Sequence, residues 1–400
     1  MSIVKKTYLI NIEIYLEIEV IEQGYVSILN EKIHSFGKMA GIQLEPTAVV
    51  IDFKNEAKLI PGLIDVHIHG AAGADVMDGT KESLLTLASY LPSEGTTSFL
   101  ATTMTHTEEA IEQSLGTIAE YMNIQKPEDG AEMLGVHLEG PFISESHAGA
   151  QPAIAIMAPE VPLFKRWQTI SGNQIKLVTL APEKAGATEL IRYLKDTDVV
   201  ASVGHSNARY EEVVAEVENG LSHVTHLYNA MSGFHHREPG VVGAAFLHPN
   251  LMVEVIADGI HVHPQAIDMA YQQKGKDGII LITDSIRAKS LEDGVYLLGG
   301  QDVYVHGKKA TLKDGTLAGS TLRMRDAIAN FMEFTGCSLQ ESVQMASLNP
   351  AKQLGLDHLK GSIAEGKDAD LVVLDNRNEV RMTICRGMVV FQRDKDGEIY

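Results

Sequence analysis

The amino-acid sequence predicts a (β/α)8 barrel of the TIM type, together with a small β-sandwich domain that both termini form. Three observations lead to this prediction. Short apolar runs recur through the middle of the chain, and helical patterns lie between most of them. Both ends of the chain carry short β-prone runs without such helices. Residue types that bind metals or transfer protons stand at the ends of the apolar runs, where a barrel has its active site.

The terminal segments, residues 1–58 and 359–400, are predicted to be the two parts of the β-domain. In the first segment, β-prone runs are broken by turn-forming pairs such as Gln23-Gly24. In the last segment, Asp370–Leu374 and Val380–Cys385 have the composition of strands. Chain termini often lie close together, so one domain can be built from both.

The middle segment, residues 59–358, is predicted to be the barrel. Buried parallel strands read as continuous apolar runs, and strands that alternate with helices indicate βα units. The predicted strands are Leu63–His69, Ser98–Thr103, Met133–Gly140, Lys176–Glu183, Val199–Ser206, His223–Ala230, Leu251–Gly259 and Gly278–Ser285. Helical patterns include Lys81–Leu91, Glu108–Met122, Thr188–Asp196 and Arg209–Glu218. Eight βα units over this length match a closed barrel.

Charge and composition narrow the range of partners and compartments. The chain has 33 basic and 53 acidic residues, a formal net charge of −20, which opposes binding to nucleic acid and to anionic membranes. No apolar run reaches the roughly 18 residues of a membrane span, and residues 1–10 lack an apolar signal segment. Cys337 and Cys385 belong to no metal motif and are interpreted as reduced packing residues. We therefore expect a cytoplasmic protein without nucleic-acid or membrane partners.

Two sets of candidate metal ligands stand at the ends of the predicted strands. Side chains at positions i and i+2 of a strand point to the same face, so His67 and His69 can hold one ion together. Glu139, His205 and His226 offer a second set of nitrogen and oxygen atoms. Such ligands suit zinc, iron, manganese or cobalt, and a catalytic site leaves one position open for water. We expect one or two divalent transition-metal ions per subunit.

The remaining polar residues near the strand ends receive different interpretations. Asp284 follows the apolar run Ile279–Ile282, which favours a catalytic role over that of a helix N-cap. His137 precedes Glu139 by two positions, and a place behind the ligands stays open for it. Six further histidines are interpreted as surface or packing residues: His147, His235, His236, His248, His263 and His306.

The run Pro61–Gly70, together with Glu139, His205, His226 and Asp284, resembles the amidohydrolase superfamily. Several longer strings resemble one of its families, the N-acetylglucosamine-6-phosphate deacetylases. These strings are Leu138–Phe142, Val203–Ala208, Thr225–Met231, Arg237–Gly240, Ile256–His261 and Leu317–Ser320. The resemblance covers nearly the whole chain, and its strings are specific in combination.

The resemblance implies a role for each matching residue. Glu139, His205 and His226 would be the shared metal ligands, and Asp284 would be the general base and acid. The substrate, a small sugar phosphate, would contact Asn229, Ala230, Arg237, His261, Leu317, Ala318 and Gly319. The family also implies a homodimer, in which Arg237 reaches the neighbouring active site.

This sequence departs from some family members in two places. Some members lack the pair His67 and His69 and bind one metal ion, whereas the intact pair here allows two. Many members have a histidine twelve residues after the metal-binding glutamate, and this chain has Gln151 there, beside Ala150. The Gln151 amide can donate the same hydrogen bond to the acetyl carbonyl of the substrate, but it adds no charge.

The implied reaction is hydrolysis of the acetyl amide of N-acetylglucosamine 6-phosphate by a metal-activated water. Three alternatives stay open. The sugar can be the galactosamine epimer, because the sequence does not settle one hydroxyl. Another amidohydrolase would cut a cyclic imide or an N-acyl amino acid, but those enzymes usually use a carboxylated lysine, and this chain has Glu139. A non-catalytic scaffold would have lost ligands, and this chain keeps all of them.

Overall fold

The computed structural model describes residues 6–393, and the outermost parts of the predicted terminal segments, 1–5 and 394–400, lie outside the described residues. Five strands come first. They are β1 (Thr7–Tyr15), β2 (Val20–Leu29), β3 (Lys32–Lys38), β4 (Val49–Asp52) and β5 (Lys58–Pro61). Strands β1, β2 and β3 pair antiparallel, and both β4 and β5 run parallel to β1.

Eight parallel strands form the barrel. Strand β6 (Leu63–Ile68) is followed by a small hairpin of β7 (Gly70–Ala71) and β8 (Ala74–Asp75). The other barrel strands are β9 (Thr96–Thr103), β10 (Glu132–Glu139), β11 (Ile175–Leu180), β12 (Val200–Val203), β13 (Leu221–Val224), β14 (Met252–Ile256) and β15 (Ile279–Ile282). Each pairs with the next in chain order, and a parallel bridge from Ile68 to Ser285 links the first to the last. The predicted barrel is confirmed.

Helices cover the outside of the barrel, and most of them have an apolar face that is buried. They are α1 (Lys81–Tyr90), α2 (Glu108–Met122), α3 (Val161–Ile170), α4 (Ala187–Asp196), α5 (Tyr210–Asn219), α6 (Gly240–Leu247), α7 (Pro264–Lys274), α8 (Met324–Thr335), α9 (Leu339–Ala346) and α10 (Leu348–Gln353). In α2, for example, Ile111, Leu115 and Ile118 are buried at helical spacing, and the Thr107 side chain caps the N-terminus. The four predicted helices are present within one or two residues.

A hairpin that the sequence did not predict lies beside the mouth of the barrel. It consists of β16 (Gly294–Leu298), β17 (Gln301–His306) and β18 (Lys309–Thr311). Leu298 and Val303 pack with Met104 and Ile286 in a separate apolar cluster. The Gln301 side chain donates to the Ala150 carbonyl at 2.8 Å. The hairpin thus fixes the loops that surround the barrel mouth.

The last strands return to the first ones. They are β19 (Leu371–Leu374), β20 (Val380–Cys385) and β21 (Met388–Gln392). Strand β19 pairs antiparallel with β5, so both ends of the chain share one eight-stranded sheet. Its apolar core combines Leu9 and Ile14 with Leu371 and Ile384. The predicted β-rich unit formed by both termini is therefore confirmed.

One predicted strand ends much earlier than expected. The sequence predicts a strand over His223–Ala230, but β13 stops at Val224. His226, Tyr228 and Ala230 have φ angles of 30°, 79° and 47°, and this left-handed region is incompatible with a strand. Two of these three residues, His226 and Ala230, line the cavity at the barrel mouth, so the irregular backbone shapes that cavity.

Candidate active site

A cavity of about 350 Å³ opens at the C-terminal ends of the barrel strands. The residues on its floor are His69, Glu139, His205, His226 and Asp284. The predicted substrate-binding residues that line its walls are Ala150, Asn229, Ala230, His261, Leu317 and Gly319, and Gln151 joins them. This is the end of a (β/α)8 barrel at which active sites lie.

Glu139, the last residue of β10, is the centre of the site and is only 2% exposed. Its Oε1 atom lies 3.2 Å from His205 Nε2 and 3.1 Å from His226 Nε2. The two Nε2 atoms themselves are 3.1 Å apart. The structure therefore brings together the three residues that the sequence predicted as one ligand set.

His67 and His69 approach the same glutamate from β6 and the residue that follows it. His69 Nε2 lies 3.2 Å from Glu139 Oε2 and 3.3 Å from Asp284 Oδ1. His67 Nε2 lies 3.4 Å from Glu139 Oε1 and 3.5 Å from Asp284 Oδ1. The i and i+2 pair does point to one face. Glu139 contacts the histidines of both ligand sets, and Asp284 contacts the pair His67 and His69.

Hydrogen bonds at the outer ring nitrogens orient two of these histidines. His205 Nδ1 lies 2.9 Å from the His147 carbonyl, and His69 Nδ1 lies 3.2 Å from the Thr102 carbonyl. A carbonyl oxygen only accepts, so each Nδ1 carries the proton and donates it. The Nε2 atoms then present lone pairs to the site, which is the arrangement of metal-binding histidines.

The donor set fits a cation. His67 Nε2 is buried without a hydrogen-bond partner among the described residues. Burial opposes protonation of His69, yet its hydrogen bonds to Asp284 and Glu139 outweigh burial and raise its pKa to about 10. The site thus favours a positive charge at this point, which a proton or a metal ion can supply. Ligand atoms of His67, His69 and Glu139, and of Glu139, His205 and His226, lie close enough together to hold one ion each.

Three site residues have left-handed backbones. The φ angles of His205, His226 and Asp284 are 48°, 30° and 48°. Such conformations are uncommon for residues other than glycine and cluster at functional sites. Here they occur just after the strands end, where the chain turns away and leaves the three side chains at the cavity floor.

Gln151 holds Glu139 in place. Its Nε2 donates to Glu139 Oε2 at 2.8 Å, and its Oε1 accepts from the Thr105 backbone N–H at 2.7 Å. Because Thr105 N–H can only donate, the amide has one orientation, with its NH2 group toward Glu139. The sequence predicted a bond from this amide to the substrate, and the structure adds a bond to a candidate ligand.

The segment after the hairpin reaches the proposed base. Ser320 N–H donates to the Asp284 carbonyl at 2.8 Å, and Ile286 N–H donates to the Ser320 carbonyl at 3.0 Å. Gly319 has a φ of 58°, and a Cβ atom there would lie 2.5 Å from Ile286 and 2.9 Å from the Asp284 carbonyl. Only glycine therefore lets this segment pass so close to Asp284.

Two predicted substrate-binding residues do not line the cavity of the described chain. Arg237 lies on an exposed turn, where its Nη1 atom is 2.7 Å from His236 Nε2. Ala318 is buried and donates its N–H to the Ala310 carbonyl at 3.1 Å, which supports the segment between Leu317 and Gly319. A place for Arg237 at a neighbouring subunit's site stays a proposal.

Three further residues line the cavity or lie behind it. His147, interpreted as a surface or packing residue, lines the cavity and accepts from His205 through its carbonyl. His137 lies behind the site, with its ring 4.5 Å from that of His67 and its Nε2 2.7 Å from Thr179 Oγ1. Glu254 lies deeper still and was missed. The signal that could have found it is a lone carboxylate within the apolar run Leu251–Ala257.

His261 is held by a neighbouring carboxylate. Its Nδ1 atom lies 2.7 Å from Asp258 Oδ2, while Asp258 Oδ1 accepts from the N–H groups of Ile260 and His261 at 2.8 Å. Burial lowers the pKa of His261, but the bond to Asp258 outweighs burial and raises it above its ordinary value. His261 can therefore present a donor to the cavity from Nε2.

Comparisons with known proteins identify the family of this chain. Residues 59–390 match the model of the amidohydrolase family. The chain is 50% identical to N-acetylglucosamine-6-phosphate deacetylase of Bacillus subtilis (strain 168) over 382 residues, which are 95% of this chain and 96% of the relative. It is 39% identical to N-acetylgalactosamine-6-phosphate deacetylase of Escherichia coli O157:H7 over 346 residues, which are 86% of this chain and 91% of the relative.

A solved structure resembles the whole chain. The crystal structure of N-acetylglucosamine-6-phosphate deacetylase from Pasteurella multocida superposes with a TM-score of 0.90 at 29% sequence identity and covers 96% of this chain and 99% of its own. The chain therefore belongs to the amidohydrolase family and, within it, to the family of the N-acetylglucosamine-6-phosphate deacetylases.

Proposed function

We propose that this protein hydrolyses N-acetylglucosamine 6-phosphate to glucosamine 6-phosphate and acetate. The observation that carries the proposal is the position of Asp284, whose Oδ1 atom lies 3.3 Å from His69 Nε2 and 3.5 Å from His67 Nε2 on the cavity floor. A carboxylate beside converging ligands is the arrangement that metal-assisted hydrolysis of an amide requires. The relatives with the same activity support the proposal.

We propose that Glu139, His205 and His226 hold one divalent ion and that His67 and His69 contribute to a second position beside it. Zinc, iron, manganese or cobalt suits these ligands. When bound, such an ion acts as a Lewis acid and lowers the pKa of water from about 15.7 toward 7.

The chain's own residues move the proton and orient the amide. Asp284 accepts a proton from the attacking water and later donates it to the departing amine of the sugar. Gln151 donates a hydrogen bond to the acetyl oxygen, and it also holds Glu139 through the bond at 2.8 Å. The enclosed floor, where Glu139, His69 and His226 are each less than 5% exposed, excludes bulk water from these groups.

The sugar phosphate binds along the walls of the cavity. We propose that Asn229, Ala230, His261 and Ala150 contact it, with Leu317 and Gly319 forming the opposite wall and the buried Ala318 supporting them from behind. The phosphate makes no bond in the reaction, so it serves to position the substrate. Arg237 of the partner subunit binds it in a homodimer, and this agrees with the exposed position of Arg237 away from its own cavity.

We propose that residues 59–358 act as the catalytic barrel and that residues 1–58 and 359–400 act as the accessory β-domain. No described helix is both long enough and apolar enough to cross a bilayer. Cys337 and Cys385 are buried and unpaired, which agrees with a reducing compartment. A cytoplasmic location is part of the proposal.

A second candidate is the same reaction on N-acetylgalactosamine 6-phosphate, which the relative from Escherichia coli favours. The test is acetate release by the metal-replete protein from both sugar phosphates and from unphosphorylated N-acetylglucosamine. Release from N-acetylglucosamine 6-phosphate alone supports the proposed function and the need for phosphate. Preference for the galactosamine epimer would keep the mechanism and change the substrate. No release from any of the three, with metal bound, would refute the proposal.

A further inference from the structure

A buried carboxylate lies directly beneath the two sets of candidate ligands. Glu254 is in the middle of β14, and its side chain is 0% exposed. The interior of a (β/α)8 barrel is usually filled by branched aliphatic side chains. A buried charge is unfavourable unless its oxygen atoms are fully hydrogen-bonded, so the contacts of Glu254 indicate what keeps it there.

Each oxygen of Glu254 has a partner in the site or beside it. Oε2 lies 2.9 Å from His67 Nδ1 and accepts from the His226 backbone N–H at 3.0 Å. Oε1 lies 3.0 Å from His223 Nε2. The backbone carbonyl of Glu254 accepts from Leu227 N–H at 2.9 Å. One residue thus contacts His67 from one ligand set and His226 from the other.

The contact with His67 fixes its tautomer. A carboxylate accepts hydrogen bonds, so His67 Nδ1 carries the proton and Nε2 is left with a lone pair. That Nε2 atom faces Glu139 and Asp284 and has no hydrogen-bond partner among the described residues. A carboxylate behind a histidine ligand also raises the basicity of the ring.

The contact with His226 fixes its backbone. His226 has a φ of 30°, which is unfavourable for a residue with a side chain. Two successive N–H groups, those of His226 and Leu227, donate to the side chain and the carbonyl of Glu254. These bonds hold the turn that aims the His226 ring at Glu139.

We propose that Glu254 is a positioning residue that couples the two metal positions, and that it sets the affinity of the ion held by His67 and His69. This inference rests on the proposed function, because it takes the metal dependence of the site as given. Glu254 contacts neither substrate nor reacting atoms, and it acts through His67 and His226.

The test is a titration of the metal-free protein with Co²⁺ against a chromogenic chelator, which measures the number of ions and their affinities without any substrate. The variants are Glu254→Gln and Glu254→Met, with His69→Ala as the reference for loss of the second position. Glu94→Gln is the matched control, because Glu94 is also a fully buried glutamate, and its ion-pair partner is Lys289, which is not a candidate ligand.

The side-chain oxygen of a glutamine at position 254 can still accept hydrogen bonds from His67 and His226. Its NH2 group can donate to His223 once His223 changes tautomer. E254Q should therefore weaken the second ion by about tenfold through the lost charge, and E254M by about a hundredfold through the lost acceptor. E94Q should lower the Tm and leave both affinities unchanged. If E254M does not fold, E254Q decides the question.

Wild-type affinities for both ions in E254Q would overturn the inference. The inference would also be overturned if the wild-type protein binds a single ion and His69→Ala does not change the affinity for that ion. The proposed function fails separately, because it needs acetate release by the wild-type protein. A protein that binds two ions, loses the second in E254M and releases no acetate would keep the role of Glu254 and refute the deacetylase assignment.

Discussion

The backbone N–H of Asp284 donates to the carbonyl oxygen of His67 at 2.8 Å, so the proposed base and a candidate ligand are joined by the bond that helps to close the barrel. His67 lies on the first barrel strand, β6, and Asp284 follows the last one, β15. Because this bond belongs to the backbone, a substitution of the Asp284 side chain leaves it in place. Chemistry at Asp284 can therefore be changed without opening the barrel.

Asp284→Asn should lower kcat by a factor of about 10² to 10⁴, which is the usual contribution of a general acid–base group. Asparagine has the same shape but accepts no proton from water. Metal content and Tm should stay close to the wild type, because the five candidate ligands are untouched. Steady-state acetate release and metal analysis on the same preparation check both statements. Substantial remaining activity in D284N would show that another group is the base.

Arg237→Ala should raise KM far more than it lowers kcat. A hydrogen bond to a charged group contributes about 1.5–3 kcal/mol, which is a factor of roughly 10 to 150 in KM for the phosphorylated substrate. Arg192→Ala is the matched control, because Arg192 is also exposed but lies on α4 at the outside of the barrel. An unchanged KM in R237A would remove Arg237 from the phosphate site.

Mixing subunits tests where Arg237 acts. If it reaches the neighbouring site, a mixed dimer of R237A and D284N subunits has one intact site, formed by Asp284 of the first subunit and Arg237 of the second. At a substrate concentration well below the KM of R237A, refolding the two proteins together should then give more activity than refolding either one alone. No recovery in a mixture shown to contain mixed dimers would place Arg237 in its own subunit's site.

Much of the barrel could be predicted because its strands are buried on both faces and therefore read as apolar runs. The convergence of the candidate ligands could also be predicted, since His67, His69, Glu139 and His205 stand where those runs end. His226 is the exception, because the sequence placed it inside a predicted strand. Its backbone is left-handed, and the bonds that hold it come from Glu254 on the next strand, which no local pattern reveals.

The sequence does not reveal the contacts that Gly319 and Gln151 make, because their partners lie far away along the chain. Gly319 reaches Asp284 because the hairpin β16–β18 lies beside the barrel mouth, and the apolar run Val295–Leu298 does not show where this hairpin packs. The bond from Gln151 to Glu139 depends on the Thr105 N–H, which lies on a different loop. Sequence patterns identify residue types at strand ends, but they do not show which side chains share a hydrogen bond.

Lys274 predicts a pH dependence of stability away from the site. Its Nζ atom donates to the carbonyls of Ala245 and His248 at 2.8 and 2.9 Å, and burial lowers its pKa from 10.5 to about 8. Between these pH values the unfolded chain binds more protons than the folded chain. The contribution of Lys274 to the free energy of unfolding therefore rises with pH across this window.

Urea unfolding of the wild type and of Lys274→Met at several pH values between 7 and 10 isolates this contribution, because other groups titrate alike in both proteins. The free energy of unfolding of the wild type minus that of K274M should stay constant below about pH 8 and then increase. A difference that falls as pH rises would mean that the bonds to the two carbonyls favour the charged amine more than burial opposes it.

Gln151 has two proposed partners, Glu139 and the acetyl oxygen of the substrate, and two substitutions separate them. Gln151→Ala removes both hydrogen bonds and should lower kcat/KM by about 10² to 10³ if the amide stabilises a developing oxyanion. Gln151→His restores a ring donor and should recover much of that loss. Metal affinity, measured on the same variants by competition with a chelator, reports on Glu139.

If Gln151 only orients Glu139, the alanine variant loses metal affinity and kcat/KM together, and saturating metal restores turnover. If it binds the acetyl oxygen, kcat/KM stays low at saturating metal, because the missing donor then acts on the substrate and not on the ligand.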